Sequence, residues 1–143
     1  MKKTLLLTLL TLTFSYAQMP KEMTVYKTPY CGCCSNWIAH MKDKGFEIKT
    51  IIKDNFDDLK QKKGLTSKTA SCHTALVGDY FIEGHVNYSA IKKLLSEKPK
   101  DIKGLTVPGM VVGSPGMEMG NKKMPYNIIA IKKDGSSEIY EKH

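Results

Sequence analysis

Three of the four cysteines of this chain fall within four consecutive positions, Cys31-Gly32-Cys33-Cys34. Because consecutive Cα atoms are only about 3.8 Å apart, three sulfur donors are held close together. A purely structural disulfide suits the cluster poorly, since adjacent cysteines rarely reach disulfide geometry and an odd number leaves one thiol over. The cluster favours binding of a soft metal ion, and dithiol redox chemistry through Cys31 and Cys34 remains open, with Cys33 as a spare thiol.

The N-terminus has the pattern of a secretory signal peptide, which we predict over residues 1–17. Two lysines precede an apolar run from Leu5 to Phe14, and Ser15-Tyr16-Ala17 supplies small residues at the cleavage site. The run is shorter than the roughly 20 residues of a membrane span, and no cysteine follows the cleavage site to carry a lipid anchor. We therefore expect an exported domain over residues 18–143 without a membrane anchor.

The positive charge of the chain does not indicate a nucleic-acid partner. The formal net charge is +8, and two of its lysines belong to the predicted signal peptide. The other lysines are scattered among acidic residues rather than grouped with aromatic ones, as is typical of a solvated surface. In an oxidising compartment, free thiols persist only where they are bound, catalytic or kept reduced, so four cysteines indicate a function.

The order of the predicted elements favours an α/β fold in one domain, and it is the order of thioredoxin-like domains. The pattern predicts a strand, a helix, a strand, a helix, a β-hairpin and a helix, at 23–27, about 34–44, 46–52, about 56–63, 75–83 and about 87–98. The thiols then lie at the N-terminus of the first helix. Unpaired backbone N–H groups and the helix dipole favour the thiolate there, and the thiolate is the form that binds metals and attacks disulfides.

Cys72 is expected to lie beside the cysteine cluster. In thioredoxin-like domains the loop that enters the third strand lies against the Cys-x-x-Cys turn and usually holds a cis-proline, whereas this chain has Cys72 and His73 there. Cys72 is therefore a fourth candidate ligand. The alternative is that it packs in the core as a small apolar side chain, as lone cysteines commonly do. His85 follows the predicted hairpin and is a further candidate, while His73 could point to the other side of its strand.

The last third of the chain is rich in glycine, proline and methionine. This composition predicts an ordered loop over residues 104–120, followed by a closing hairpin over 126–140 with an Asp-Gly turn. Met117 and Met119 lie two apart in a glycine-flanked segment, where packing into a core is a weaker explanation than usual. Thioethers bind Cu(I) without deprotonation, so these two methionines are candidate ligands, ahead of Met110 and Met124.

Six motifs in order make the chain resemble the CopG-type periplasmic copper-resistance proteins, a family long described as a domain of unknown function. They are Tyr30-Cys31-Gly32-Cys33-Cys34 with Trp37, Ser71-Cys72-His73-Thr74-Ala75, Ile82-Glu83-Gly84-His85-Val86, Val107-Pro108-Gly109-Met110, Gly113-Ser114-Pro115-Gly116-Met117-Glu118 and Pro125-Tyr126. The resemblance implies a thioredoxin-like fold whose Cys-x-Cys-Cys turn binds copper.

Carried over to this sequence, the resemblance implies thiolate ligands at Cys31, Cys33, Cys34 and Cys72. It extends to a small multinuclear copper–thiolate cluster, to cycling between Cu(I) and Cu(II), and to other periplasmic copper-handling proteins as partners. The choice of copper over zinc rests on the methionines and on export. An oxidoreductase activity toward copper rests on the resemblance alone.

Three functions stay open at this point. The first is copper binding for copper resistance. The second is a thiol–disulfide oxidoreductase in which Cys31 attacks and Cys34 resolves; the missing proline and the extra thiols argue against it. The third is a structural four-cysteine zinc site, for which a spacing of three cysteines plus one is unusual.

Overall fold

A computed structural model describes residues 19–143; the predicted signal peptide, residues 1–17, lies outside the described residues. In chain order the elements are β1 (Glu22–Lys27), α1 (Gly32–Asp43), β2 (Glu47–Ile52), α2 (Asp57–Lys63), β3 (His73–Val77), β4 (Tyr80–Glu83), α3 (Tyr88–Glu97), β5 (Ile102–Thr106), β6 (Asn127–Lys132) and β7 (Ser137–Lys142). The strands form a seven-stranded sheet in the order β2-β1-β3-β4-β5-β6-β7. The predicted α/β class is confirmed.

Strand direction brings three chain segments to the same edge of the sheet. β1 runs parallel to β2 and antiparallel to β3, and β4 is antiparallel to β3. The carboxyl end of β1 at Lys27 is therefore paired with the start of β3 at His73, and Thr74 is paired with Glu83 at the end of β4. The loops that follow β1 and β4 and the loop that precedes β3 meet at this edge.

Helices α1 and α3 pack on one face of the sheet and form the main core with it. Trp37 and Met41 of α1 and Leu94 of α3 are buried in the same cluster as Val25 and Ile82 of the sheet. Because side chains alternate along a strand, Phe81 points to the opposite face, where it packs with Leu65 and Ile131. The larger core holds α1 rigidly against the sheet, and α1 carries the cysteine turn at its N-terminus.

The prediction of a loop beginning at Gly104 was wrong over its first three residues. Residues 102–106 form β5, which pairs in parallel with β4 and antiparallel with β6. A Cβ at Gly104 would collide with the carbonyl oxygen of Phe81 on β4. Glycine therefore allows the backbone of β5 to approach Phe81 closely inside the sheet. From the sequence alone, the many glycines and prolines of this segment predict a loop instead.

After β5, residues 107–126 run without a helix or a named strand, and β6 and β7 then close the sheet as an antiparallel pair around Asp134-Gly135. Helix α1 begins at Gly32, two residues before its predicted start, so Cys33 and Cys34 belong to its first turn. Among residues 19–143, none of the helices combines the length and the apolar character needed to cross a bilayer.

Replacement of Leu94 by alanine tests the core between α3 and the sheet. Leu94 is fully buried, so Leu94→Ala is expected to lower the free energy of unfolding by about 2–5 kcal/mol, through lost burial and a residual cavity. Urea denaturation followed by circular dichroism measures it. Lys92→Ala changes an exposed residue on the same helix and should remain within about 0.5 kcal/mol of the parent. Equal stability of the two variants would contradict this packing.

Candidate metal centre

The cysteine turn joins the end of β1 to the first turn of α1. Cys34 is fully buried, whereas Cys31 and Cys33 are half-buried. Cys31 and Cys34 form a disulfide, with their Cα atoms 5.4 Å apart, and Cys33 is a free thiol. The sulfur atom of Cys33 lies 3.6 Å from that of Cys31. The turn therefore holds both a disulfide and a third sulfur beside it.

Cys72 reaches this turn because its neighbour in the chain, His73, pairs with Lys27 at the end of β1. The sulfur atoms of Cys31, Cys33, Cys34 and Cys72 all lie within 4.8 Å of one another. The structure thus brings together the four cysteines that the sequence singled out, including one that is far away in the chain. Cys72 is a free thiol and half-buried.

His85 is fixed in the orientation and tautomer of a metal ligand. Its Nδ1 lies 2.8 Å from the carbonyl oxygen of Pro115, and its Nε2 lies 3.1 Å from Sγ of Cys72. A carbonyl oxygen only accepts hydrogen bonds, so Nδ1 carries the hydrogen and, in the neutral ring, the lone pair of Nε2 faces Cys72. Backbone carbonyls fix metal-binding histidines in this way.

His73 is the site residue that the sequence analysis ranked too low. The ring is fully buried, its Nδ1 lies 3.3 Å from Sγ of Cys72, and its Nε2 has no hydrogen-bond partner. Donor atoms of Cys72, His73 and His85 lie within 4.8 Å of one another. Strand alternation would separate residues 72 and 73, but Cys72 precedes β3 and is free of that constraint. The feature of the sequence that points to His73 is its position next to Cys72.

Burial keeps the donor atoms of Cys72, His73 and His85 uncharged in the metal-free protein. Burial, and then the nearby Cys33 sulfur, raise the pKa of the Cys72 thiol to about 12. Burial also lowers the pKa of both His73 and His85, and for His85 the hydrogen bond to Pro115 opposes the shift. The imidazoles are therefore neutral near pH 7, as metal ligation requires, whereas Cys72 must lose a proton when it binds a metal.

Trp37 and the segment around Gly116 cover the site. The indole N–H of Trp37 donates to the carbonyl of Val86 at 2.8 Å, and its ring packs 4.6 Å from that of His73. Gly116 has a φ of +85°, and a Cβ there would lie 2.6 Å from the backbone nitrogen of Trp37 and 2.9 Å from the carbonyl oxygen of Cys33. Glycine is therefore needed for this segment to lie directly on the first turn of α1.

The two candidate methionines differ in their placement. Met117 is half-buried and directly follows the covering segment at Pro115 and Gly116. Met119 is 56% exposed and follows Glu118, whose carboxylate lies 2.9 Å from His40 further along α1. Met117 is thus the less exposed of the two methionines, whereas Met119 lies on the surface.

Comparison with known proteins decides the family. A family described as a protein of unknown function, DUF411, matches residues 69–117. Two solved structures described as the copper resistance protein CopG, form 1 and form 2, are 34% and 33% identical to this chain, each with a TM-score of 0.81. Each match covers 87% of this chain and 98% of the other. The chain belongs to the CopG copper-resistance family. No match was found among curated proteins.

The two kinds of match cover different parts of the candidate centre. The segment that matches the family of unknown function, residues 69–117, holds Cys72, both buried histidines and Met117, and it lies after the cysteine turn. The CopG structures match over most of the chain and share its fold. Membership of the CopG family therefore rests on the whole fold as well as on this segment.

The donor set of the candidate centre is sulfur and imidazole. Its two groups, one of four cysteine sulfurs and one of Cys72 with two histidines, share Cys72 and contain no carboxylate. Soft thiolate donors select Cu(I) and zinc, imidazole suits copper and zinc, and hard ions such as Mg²⁺ need oxygen ligands. The arrangement can therefore hold a soft or borderline ion, and its shared thiol joins the two groups.

The raised pKa of Cys72 predicts slow alkylation of the metal-free protein with its disulfide intact. At pH 8 the thiolate fraction is small, so iodoacetamide should modify Cys72 roughly 50-fold more slowly than in urea-unfolded protein, after allowing for the greater nucleophilicity of a high-pKa thiolate. The rate should keep rising with pH beyond 10. Quantitative mass spectrometry of the Cys72 peptide measures both. Equal rates in folded and unfolded protein would contradict the buried, protonated thiol.

Proposed function

We propose that the chain is a periplasmic copper-binding protein that serves copper resistance and holds Cu(I) through Cys31, Cys33, Cys34 and Cys72. The observation that carries this proposal is the convergence of four sulfur atoms within 4.8 Å in a chain of the CopG family. Imidazole nitrogen from His85 and a thioether from Met117 or Met119 complete the candidate ligand set. Copper is the cargo of this site.

Copper fits these donors better than zinc for two reasons. Structural zinc sites usually combine two separated pairs of ligands, whereas three of these cysteines lie in one turn and the fourth comes from the loop before β3. Buried imidazoles, and the thioethers proposed as ligands, add soft or borderline donors without adding charge, which suits a monovalent ion. The relatives of known structure are described as copper resistance proteins, in agreement with this choice.

The shared thiol supports a cluster of more than one copper ion. Cys72 belongs to both donor groups, and a thiolate sulfur has enough lone pairs to bridge two ions. One ion would then be held by the cysteine turn and Cys72, and a second by Cys72 with the imidazoles. Nδ1 of His73 and Nε2 of His85, which lie 3.3 Å and 3.1 Å from the Cys72 sulfur, supply the nitrogen donors that a second ion needs.

The disulfide between Cys31 and Cys34 supports coupling of copper binding to redox chemistry. Two electrons leave the Cys31 and Cys34 thiolates when the disulfide forms, and they can convert two Cu(II) ions into two Cu(I) ions. Oxidation also removes two of the four thiolates, leaving Cys33, Cys72 and the histidines as a mixed sulfur and nitrogen set that suits both oxidation states. The reverse transfer of two electrons, from two Cu(I) ions to the disulfide, restores both thiolates and two Cu(II) ions, so the cysteine pair supports cycling between the two oxidation states with changing affinity.

The order of elements through α3 and the strand order β2-β1-β3-β4 support a thioredoxin-like core, to which β5, β6 and β7 add three strands. We place the domain at residues 18–143 and the signal peptide at residues 1–17, which directs the protein to the periplasm. Other copper-handling proteins of that compartment are the proposed partners, for delivery or removal of the ion.

Reconstitution with Cu(I) tests the function directly. Fully reduced protein, loaded without oxygen and then desalted, is expected to retain copper, and Cys33→Ser should weaken binding more than about tenfold because it removes a thiolate ligand. Mass spectrometry under native conditions gives the stoichiometry, and competition with a Cu(I) chelator gives the affinity. Asn36→Ala changes an exposed residue near the start of the same helix and serves as the control.

The same variants separate copper binding from the second candidate, thiol–disulfide exchange, which the Cys31–Cys34 disulfide favours as a specific observation. An oxidoreductase would reduce the disulfides of insulin, lose that activity with Cys31→Ser and keep it with Cys33→Ser. Failure of the reduced parent protein to retain copper, or unchanged binding by Cys33→Ser, would defeat the copper proposal.

The methionines are tested by replacement with leucine, which has a similar volume and no thioether. Met117→Leu is expected to weaken Cu(I) binding about tenfold, because its backbone adjoins the segment that covers the site, and Met119→Leu should have a smaller effect. X-ray absorption spectroscopy should show loss of a copper–sulfur contact in Met117→Leu. Met124→Leu, at a 57% exposed position of the same segment, is the matched control. Affinities equal to that of the parent protein in both Met117→Leu and Met119→Leu would exclude these two thioethers as ligands.

A further inference from the structure

We infer that Lys60 and Glu83 are positioning residues of the copper site: their buried ion pair holds the backbone before Cys72 and sets this thiol against His85. The inference rests on the proposed function, which it deepens by adding two residues that do not touch the ion. Neither residue was singled out for a role by the sequence analysis.

The ion pair binds both polar groups of the Ser71 backbone. Glu83 is fully buried at the end of β4, and its carboxylate contacts the ammonium group of Lys60 from α2, whose side chain is 12% exposed. The N–H of Ser71 donates to Oε1 of Glu83 at 2.6 Å, and the carbonyl of Ser71 accepts from Nζ of Lys60 at 2.7 Å. The residue directly before Cys72 is thus held by both charges.

Glu83 also holds the chain on the other side of Cys72. The hydroxyl of Thr74 donates to Oε2 of Glu83 at 2.5 Å, and the N–H of Gly84 donates to the carbonyl of His73 at 2.9 Å. His85 follows two residues after Glu83. One carboxylate therefore connects the segment that carries Cys72 to the segment that carries His85, whose Nε2 lies 3.1 Å from the Cys72 sulfur.

Geometry, rather than stability, accounts for such an ion pair. Removing a carboxylate and an ammonium group from water is costly, and apolar replacements of similar size are often as stable or more stable. The loop before β3 has no regular structure, and residues 19–143 contain no cis peptide bond that could stiffen it. Charge-assisted hydrogen bonds to both sides of Ser71 supply that stiffness.

The serine side chain adds a third tie to the same residue. Its hydroxyl donates to the carbonyl of Gly109 in the segment after β5, and Gly84 leaves room for it, since a Cβ at Gly84 would collide with the Ser71 side chain. Helix α2, strand β4 and the segment after β5 thus converge on Ser71. A change in any of these ties is transmitted to Cys72 through a single peptide unit.

The test compares Lys60→Met and Glu83→Gln with a variant of a more exposed ion pair at the other end of the sheet. Lys132 lies 2.7 Å from Glu138, and it pairs with Ile102 at the start of β5, away from the copper site. Lys60→Met and Glu83→Gln are expected to raise the Cu(I) dissociation constant about 10- to 100-fold, as loss of partners behind metal ligands does. Lys132→Met should leave the Cu(I) dissociation constant unchanged. Lys60→Arg, which keeps the positive charge, should bind Cu(I) nearly as tightly as the parent protein.

Two readouts distinguish positioning from a general loss of stability. X-ray absorption spectroscopy of the copper-loaded variants should show fewer or longer sulfur and nitrogen contacts. Hydrogen exchange of the Ser71 amide, which donates to Glu83, should be faster in metal-free Lys60→Met than in Lys132→Met. If Glu83→Gln does not fold, Lys60→Met and Lys60→Arg decide, because Lys60 reaches the surface.

The outcomes separate the two proposals. A parent protein that retains no Cu(I) would overturn the proposed function. The positioning role would be overturned, and the copper function would stand, if the parent protein binds Cu(I) and Lys60→Met binds it with equal affinity and an unchanged X-ray absorption spectrum. Equal losses of affinity in Lys60→Met and Lys132→Met would also overturn it, since a remote ion pair would then matter as much.

Discussion

The pairing of Lys27 with His73 is the interaction on which the site depends. It joins the end of β1 to the start of β3, and so places the cysteine turn of α1 beside Cys72. A shift of this register by one residue would turn every side chain of β3 to the other face, and His73 would leave the site. Burial of Ala75 and Val77 in the core specifies the register, so packing far from the thiols determines their geometry.

Exclusion of water from the site then sets the protonation state of the donor atoms. Trp37 and the segment at Gly116 cover the thiols and imidazoles, and burial raises the pKa of Cys72 while lowering those of His73 and His85. A proton therefore competes with the metal at Cys72, whereas the imidazoles offer lone pairs near neutral pH. Such a centre binds an ion only if thiolate–metal bonding outweighs the loss of that proton, which favours a soft ion.

Much of this fold could be predicted from local patterns. The alternation in Met23–Lys27, the helical spacing of Trp37 and Met41 and the Asp134-Gly135 turn each depend on neighbours in the chain, and each element formed near its predicted place. The prediction of a loop from Gly104 failed because a distant residue decides: Gly104 lies in β5, where its missing Cβ leaves room for the backbone of Phe81. The direction of the His73 side chain, which the sequence left open, depends on Cys72 lying before β3 rather than in it.

The donor chemistry can be read from the residues alone: three crowded cysteines, a fourth beside a histidine and a methionine-rich segment specify soft ligands wherever the chain places them. Which donors meet depends on the fold. It brought Cys72 and His85 within 3.1 Å, gave Cys31 and Cys34 a disulfide, left Met119 on the surface and surrounded Ser71 with a buried ion pair. The physical reason is that ligand type is a property of single residues, whereas distance, burial and tautomer depend on strand register and on packing between segments far apart in the chain.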